Sequence, residues 1–180
     1  MILMNSDRRL GFTLVELLLV IAIIGILSVI GTTTFSSAIV KGKDSSRKND
    51  ISNIAKALEA FNNDFGEYPD EDTGKMVACV DGADPTLIPC PGVDGKFRAK
   101  KNGEDVVYLE NFPQDPDPNR AYTYEMTGAN EGFAIYAALE NTQDRDVKKL
   151  NGVADPGGWG VNCGTSICNY KVTSSGLVTE

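Results

Sequence analysis

Few side chains in this 180-residue sequence are placed to do chemistry, and the first of them is a lone carboxylate. Glu16 sits at the head of an apolar run: no charged residue occurs from Leu17 to Val40, and Leu17–Ile30 is almost wholly aliphatic. An unpaired charge in hydrocarbon costs on the order of 3 kcal/mol on insertion scales. Glu16 must therefore reach back to lipid headgroups, being five residues from Gly11, or take a cation from another molecule. The physics of the residue alone does not separate these two.

The second chemical group is sulfur. Four cysteines fall in two close pairs, Cys79 with Cys90 and Cys163 with Cys168. Neither spacing is the CxxC of a zinc knuckle or a redox helix. An even count beside an export signal reads as disulfides in an oxidising compartment. Four cysteines allow three connectivities; short loops close most easily, which favours Cys79–Cys90 and Cys163–Cys168. There is no histidine, so no His-based triad, dyad or metal cage. P-loop and GxGxxG runs are absent as well. No enzyme is expected.

These groups need elements to hold them. Residues 1–11 read MILMNSDRRLG, and the apolar run begins only after them. That order is wrong for a conventional secretory signal, whose apolar region precedes its cleavage site. Arg8 and Arg9 hold such a leader on the cytoplasmic face, and the run then crosses the bilayer. Phe12 to Val40 is 29 residues, roughly 44 Å as a helix, against a hydrocarbon core of roughly 30 Å. The excess, softened by Thr32, Thr33, Thr34, Ser36 and Ser37, belongs at the outer interface or against protein.

From Lys41 the pattern changes. Ile51, Ile54, Ala55, Leu58, Phe61 and Phe65 recur at helical spacing and form one apolar stripe. Gly66 is placed to cap the helix and Pro69 to keep it from resuming. One helix is expected from Phe12 to about Asp64. Residues 70–105, rich in Asp, Gly, Pro and Lys, read as a variable loop pinned by the first cysteine pair, with a short helix or strand as the alternative within it. Ala121–Met126 and Gly132–Leu139 alternate as strands around a loop at Thr127–Glu131, and a third strand is expected near Asn169–Thr173. Three antiparallel strands against the upper helix make an α+β head. From Phe65 onward nineteen acidic residues oppose ten basic ones, which disfavours nucleic acid and anionic lipid in bulk. The small basic run Lys96, Arg98, Lys100 and Lys101 reads as a solvated loop, with an acidic patch on another subunit or DNA as the sharper alternatives.

The stretch Gly11-Phe-Thr-Leu-Val-Glu16-Leu-Leu-Leu-Val-Ile-Ala-Ile-Ile-Gly25 closely resembles the N-terminal signature of type IV pilins and type II secretion pseudopilins. Phe61-Asn-Asn-Asp-Phe-Gly66-Glu-Tyr68-Pro69 resembles the turn that closes the long helix in major pseudopilins, and Asn111–Arg120 resembles the Pro-Asp-Pro element before their sheet. The resemblance implies that a prepilin peptidase cuts between Gly11 and Phe12 and methylates the Phe12 amine. It implies that Glu16 pairs with the N-terminal amine of a neighbouring subunit. Many pilins carry a proline partway along this helix; here Gly31-Thr-Thr-Thr-Phe35 stands in its place.

The expected organisation is a leader at 1–11, a transmembrane and filament-core helix at 12–40, the amphipathic upper half of that helix at 41–65, and a pilin-like α+β head at 66–180. The leading functional expectation is a structural subunit of a type IV pilus, first in the inner membrane as a single-pass protein and then in an extracellular filament. The alternative is a pseudopilin of a type II secretion system; a further alternative is a non-polymerising membrane-anchored protein that binds a ligand or DNA. Expected partners are further copies of the chain, prepilin peptidase and an inner-membrane assembly platform. Some pseudopilin heads bind calcium in a late loop, which makes Asn141, Asp144, Asp146 and Asp155 weak calcium candidates. Calcium takes six to eight oxygens, and Arg145, Lys148 and Lys149 dilute the set, so a solvated polar loop with no cofactor is expected instead.

Overall fold

No proline interrupts the chain between Phe12 and Pro69, and a single helix, α1 (Leu14–Phe65), occupies that stretch. The structure is a computed structural model and describes residues 11–81, 84–90, 94–128 and 131–180, with backbone alone at 29–34, 80–81 and 84–88. Leader residues 1–10 lie outside the described residues. The chain divides into two units, Met1–Ile39 and Val40–Glu180.

The first unit carries the early turns of α1. Its large apolar side chains, among them Phe12, Leu14, Val15, Leu17, Leu18, Leu19, Ile23, Ile26 and Leu27, are exposed, Phe12 at 82%. A contiguous apolar surface of this kind is left for lipid or protein to cover. Among the described residues, no helix is long and apolar enough to cross a membrane. The aliphatic run continues into residues 29–34, whose side chains are not described.

In the second unit α1 buries Ile51, Ile54, Leu58 and Phe61 of the expected stripe, while Ala55 is half-buried and Phe65 at the end stays exposed; Ala57, outside the expected stripe, is buried as well. Gly66 follows with φ +80° and donates its N–H to the Asn62 carbonyl at 2.7 Å. A residue with a side chain is strained in that left-handed region, so glycine ends the helix cheaply.

Strands follow in the order β1 (Asp70–Asp72), β2 (Lys75–Asp81), β3 (Asp84–Pro89), β4 (Phe97–Lys101), β5 (Glu104–Leu109), β6 (Thr123–Thr127), β7 (Gly132–Ala137), β8 (Lys149–Leu150), β9 (Val153–Ala154), β10 (Asn162–Cys163), β11 (Ser166–Ile167), β12 (Tyr170–Thr173) and β13 (Gly176–Val178). The main sheet is antiparallel in the order β13-β12-β7-β6. The three expected strands are β6, β7 and β12, and β13 joins them at the edge. Every residue of β7 is buried. Phe133, Ile135 and Ala137 face the core formed with α1. Ala134 and Tyr136, with Ala138 just beyond the strand, pack on a second small cluster with Cys163, Cys168, Trp159 and Val161. The α+β head thus has apolar contacts on both faces of its central strand.

The region 70–105 departs from the expected loop. It holds β1 to β4 and the start of β5, in a three-stranded sheet β1-β2-β3 and a hairpin β4-β5. Phe97 and Ala99 are buried while Arg98 and Lys100 point outward; the alternation was hidden by the charge of its outer face. Thr73-Gly74 and Asn102-Gly103 have positive φ at both residues, the two-residue turn whose twist matches the flanking strands.

Candidate functional site

Glu16 lies in the first turn of α1 and has a partner within its own chain. The Thr13 N–H donates to Glu16 Oε2 at 2.9 Å and the Thr13 hydroxyl donates to the same oxygen at 2.7 Å. In return the Glu16 N–H donates to Thr13 Oγ1 at 3.3 Å. Thr13 precedes the first helical residue, so this is a reciprocal capping box that satisfies two otherwise orphaned N–H groups. The Thr-x-x-Glu spacing ahead of an apolar run is its sequence signal, and reading Glu16 only as an anomaly in hydrocarbon passed over it. Among the described residues Glu16 Oε1 accepts no hydrogen bond, and both Glu16 and Phe12 are exposed. The chain thus fixes the carboxylate at the helix start while leaving one oxygen open to a cation.

A second polar constellation lies in the head, and sequence reasoning missed it. The α1 stripe that buries Ile51 and Ile54 continues backward to Asp44 and Arg47, both buried. Arg47 lends its guanidinium to three carboxylates. Its Nε and Nη2 grip Asp115 at 2.9 Å each, Nη1 donates to Asp44 at 2.8 Å, and Nη2 also donates to Glu140 at 2.9 Å. Burial works against the charged guanidinium, but the bonds to Asp115, Glu140 and Asp44 outweigh it and push the Arg47 pKa up. Asp44 in turn accepts the N–H groups of Glu140 and Asn141 at 2.9 and 2.7 Å, and Asp115 accepts that of Asp117 at 2.8 Å. One arginine therefore ties the helix to the Pro-Asp-Pro link and to the loop after β7. Asp115, inside the Asn111–Arg120 stretch, is the link's anchor.

The calcium candidates lie in that same loop, and lysines occupy their carboxylates. Lys48 Nζ donates to Asp144 at 2.6 Å and to Asp146 at 2.7 Å. Burial raises the Asp144 pKa, but the Lys48 bond and the Asp146 N–H outweigh it, so it lies below the usual carboxylate range. Burial likewise works against the Lys48 charge, yet its two aspartates raise its pKa above the ordinary value. Asn141 Oδ1 accepts the Gln143 N–H, and Asp155 takes Lys148 and the Gly157 N–H. Among the described residues, no group of three or more His, Cys, Asp or Glu is placed to hold a metal ion.

Three of the four residues of the basic run are likewise paired, while Lys100 is exposed and forms no ion pair among the described residues. Lys96 pairs with Glu110, Arg98 with Asp94 and Asp105, and Lys101 with Asp64. In the structure Cys79 is joined to Cys90 and Cys163 to Cys168. Gly164, in the second of these loops, sits so close to the Asn119 carbonyl that an added Cβ would approach it to 2.3 Å.

With this geometry in view, comparisons with known proteins become specific. The family described as the prokaryotic N-terminal methylation motif matches residues 6–32, and that described as type II secretion system (T2SS), protein G, matches residues 35–150, nearly two thirds of the chain. The chain belongs to the type II secretion system protein G family. A relative from Pseudomonas aeruginosa, the type II secretion system core protein G, is 31% identical over 160 residues, covering 87% of this chain and 99% of the relative. The protein of the same name from Aeromonas hydrophila is 31% identical over 150 residues, covering 82% and 96%. That from Pectobacterium carotovorum is 29% identical over 112 residues, covering 62% and 64%. No solved structure matches the chain significantly.

For this protein G family member the relatives favour the pseudopilin alternative over the leading type IV pilus expectation. Gly11, Phe12 and Glu16 fall inside the methylation-motif match. Arg47, Lys48, Asp115, Glu140, Asp144 and Asp146 fall inside the protein G match. Cys163, Cys168 and strands β9 to β13 lie beyond it, so the second disulfide staples a part of the head outside the residues that define the family match.

Proposed function

We propose that this chain is a structural pseudopilin, a subunit that polymerises through the start of α1 within a type II secretion system. The observation that carries this reading is the match to a type II secretion system core protein G over 99% of that protein's length. The apolar, exposed turns of α1 in the first unit support it, because they offer a surface that a single chain leaves uncovered. In this reading prepilin peptidase removes the leader at Gly11–Phe12 and methylates the Phe12 amine. The freed amine of one subunit then pairs with Glu16 of its neighbour, at the oxygen the capping box leaves open. The precursor resides in the inner membrane with the acidic head outside the cytoplasm, and it joins an assembly platform there. The head acts as a stable coat rather than as a catalyst.

Mass spectrometry of the mature N-terminus tests the processing step. A chain beginning at N-methylated Phe12 is expected; an intact leader in cells that export the protein would refute it. Glu16→Ala is expected to leave membrane insertion unchanged while abolishing sedimentable multimers. Deletion of the chain is expected to block secretion of folded exoproteins without loss of shear-released surface filaments. The opposite outcome would restore the pilus reading.

A further inference from the structure

The upper half of α1 carries four carboxylates, and all four are turned onto the head's own groups. Asp44 serves Arg47 and two backbone N–H groups. Asp50 accepts the Tyr122 hydroxyl at 2.7 Å, Glu59 accepts that of Tyr68 at 3.0 Å, and Asp64 takes Lys101 and Tyr108 at 2.6 and 2.9 Å. What remains outward is a stripe at alternating three- and four-residue steps: Ser46, Asn49, Asn53, Lys56, Ala60 and Asn63, all exposed. It runs for about 26 Å along the helix. The stripe is free of acid in a protein whose net charge is −8. Lys56 on the stripe and Lys41 below it form no ion pair among the described residues.

The same head presents the opposite chemistry elsewhere. Glu67, Glu71 and Asp72 are exposed within six residues of one another, beside and on β1, the edge strand of the sheet β1-β2-β3. Carboxylates on an edge strand discourage backbone pairing with another chain; one oxygen of Glu71 accepts the Gly74 N–H at 2.7 Å, and its other oxygen, with Glu67 and Asp72, is placed to meet a cation. A lone cation on one face and carboxylates on a different face of the same chain make a heterologous contact. Such a contact propagates into a polymer instead of closing as a two-fold dimer. Complementary charge also sets the register of the approach.

We infer that the outward stripe of α1 docks the acidic edge of a second copy of this chain, with Lys56 meeting Glu71 and Asp72 of the neighbour. The inference rests on the assembly reading above and assigns it a contact between heads. Stripe hydroxyls and amides supply hydrogen bonds without charge, so the lysine fixes the position along the helix.

Charge reversal in the full-length chain, assembled in its own membranes, tests it. Lys56 has no ion-pair partner among the described residues of the subunit, so Lys56→Glu is expected to leave the melting temperature of the subunit unchanged. It is expected to reduce sedimentable multimers by roughly tenfold, the scale of placing like charges across an interface. Asp72→Lys added to Lys56→Glu is expected to restore most of the yield, and cysteines at Asn53 and Asp72 are expected to cross-link neighbouring subunits. Unchanged multimers with Lys56→Glu, where Glu16→Ala still abolishes them, would overturn the contact and leave the assembly reading standing. A loss that neither Asp72→Lys nor Glu71→Lys restores would overturn the assignment of the acidic edge. A parent chain that forms no multimers at all would overturn both readings.

Discussion

Replacing Arg47 by methionine is the sharpest perturbation of the head. The side chain is wholly buried, as is that of Asp115, and Asp44 is nearly so. Methionine fills a comparable volume but removes four hydrogen bonds and the cation shared by three carboxylates. Deleting one partner of a buried ion pair costs about 3–5 kcal/mol, because the opposite charges stay buried without compensation. Here the loss belongs near the lower end. Asp44 keeps the Glu140 and Asn141 N–H groups and Asp115 keeps that of Asp117. About 3 kcal/mol corresponds to roughly 6–12 °C in melting temperature for a chain of this size. The assay is thermal unfolding of the full chain in detergent, followed by near-ultraviolet circular dichroism. A double-mutant cycle with Asp115→Asn isolates the pair: the double variant is expected to lose about 1–3 kcal/mol less than the sum of the singles. A loss below about 1 kcal/mol for Arg47→Met, or strictly additive losses, would refute the view that this arginine joins helix, link and loop.

The Lys48 pair sets a pH window. The Asp144 pKa is depressed in the folded chain, so its contribution is present above the unfolded carboxylate range and is lost as pH falls through the folded value. The Lys48 pKa is raised, so its contribution is present below the unfolded value of about 10.5 and is lost as pH rises through the folded value. Melting temperature measured against pH is therefore expected to fall at both extremes, and Lys48→Met is expected to flatten both arms; unchanged arms would count against the pair. In the parent chain, excess calcium or a chelator is expected to leave the melting temperature unchanged, because the ammonium already satisfies Asp144 and Asp146; a calcium-dependent rise of several degrees would refute this. Replacing Cys163 and Cys168 by serine is expected to cost about 2–4 kcal/mol and to loosen Trp159, which packs with that pair; an unchanged tryptophan emission and melting temperature would argue that the staple is dispensable.

Legibility from sequence followed the range of the forces involved. Helix α1 was readable because its signals are local: an uninterrupted run, a 3.6-residue stripe and a glycine stop. Strands β6, β7 and β12 were readable from alternation of Tyr124, Phe133, Ile135 and Tyr170 with smaller or polar residues. Strands β1 to β5 were not, because charged outer faces such as Arg98 and Lys100 disguise the inward Phe97 and Ala99. Asn102-Gly103 was the turn signal that a hairpin reading needed. The Arg47 cluster was hidden for a different reason. Asp44 is three positions away, but Asp115 and Glu140 lie 68 and 93 positions from the arginine, and no local pattern marks a pairing over that distance. At the helix start the opposite held. Thr13 and Glu16 are three residues apart, and their capping box was legible, but attention to the membrane carboxylate obscured it.

Charge is distributed in this head by a rule that follows from those contacts. Acidic side chains on the upper helix are spent inward, on Arg47, Lys101 and tyrosine hydroxyls. Several basic side chains of the head are likewise spent, on Asp94, Asp105, Glu110, Asp144, Asp146 and Asp155. The ion pairs of Arg47 and Lys48 tie α1 to the Pro-Asp-Pro link and to the loop after β7. Among the described residues of the head, Lys41, Lys56, Lys75, Lys100, Lys149 and Lys171 stay outside such ion pairs. Among the described residues Lys41 and Lys56 are exceptions on a helix otherwise cleared of outward acid, and exposed Glu67 and Asp72 are the matching surplus. A subunit built to polymerise needs that division: interactions that fold the head must be complete within one chain, and those that join heads must remain open until a second chain arrives.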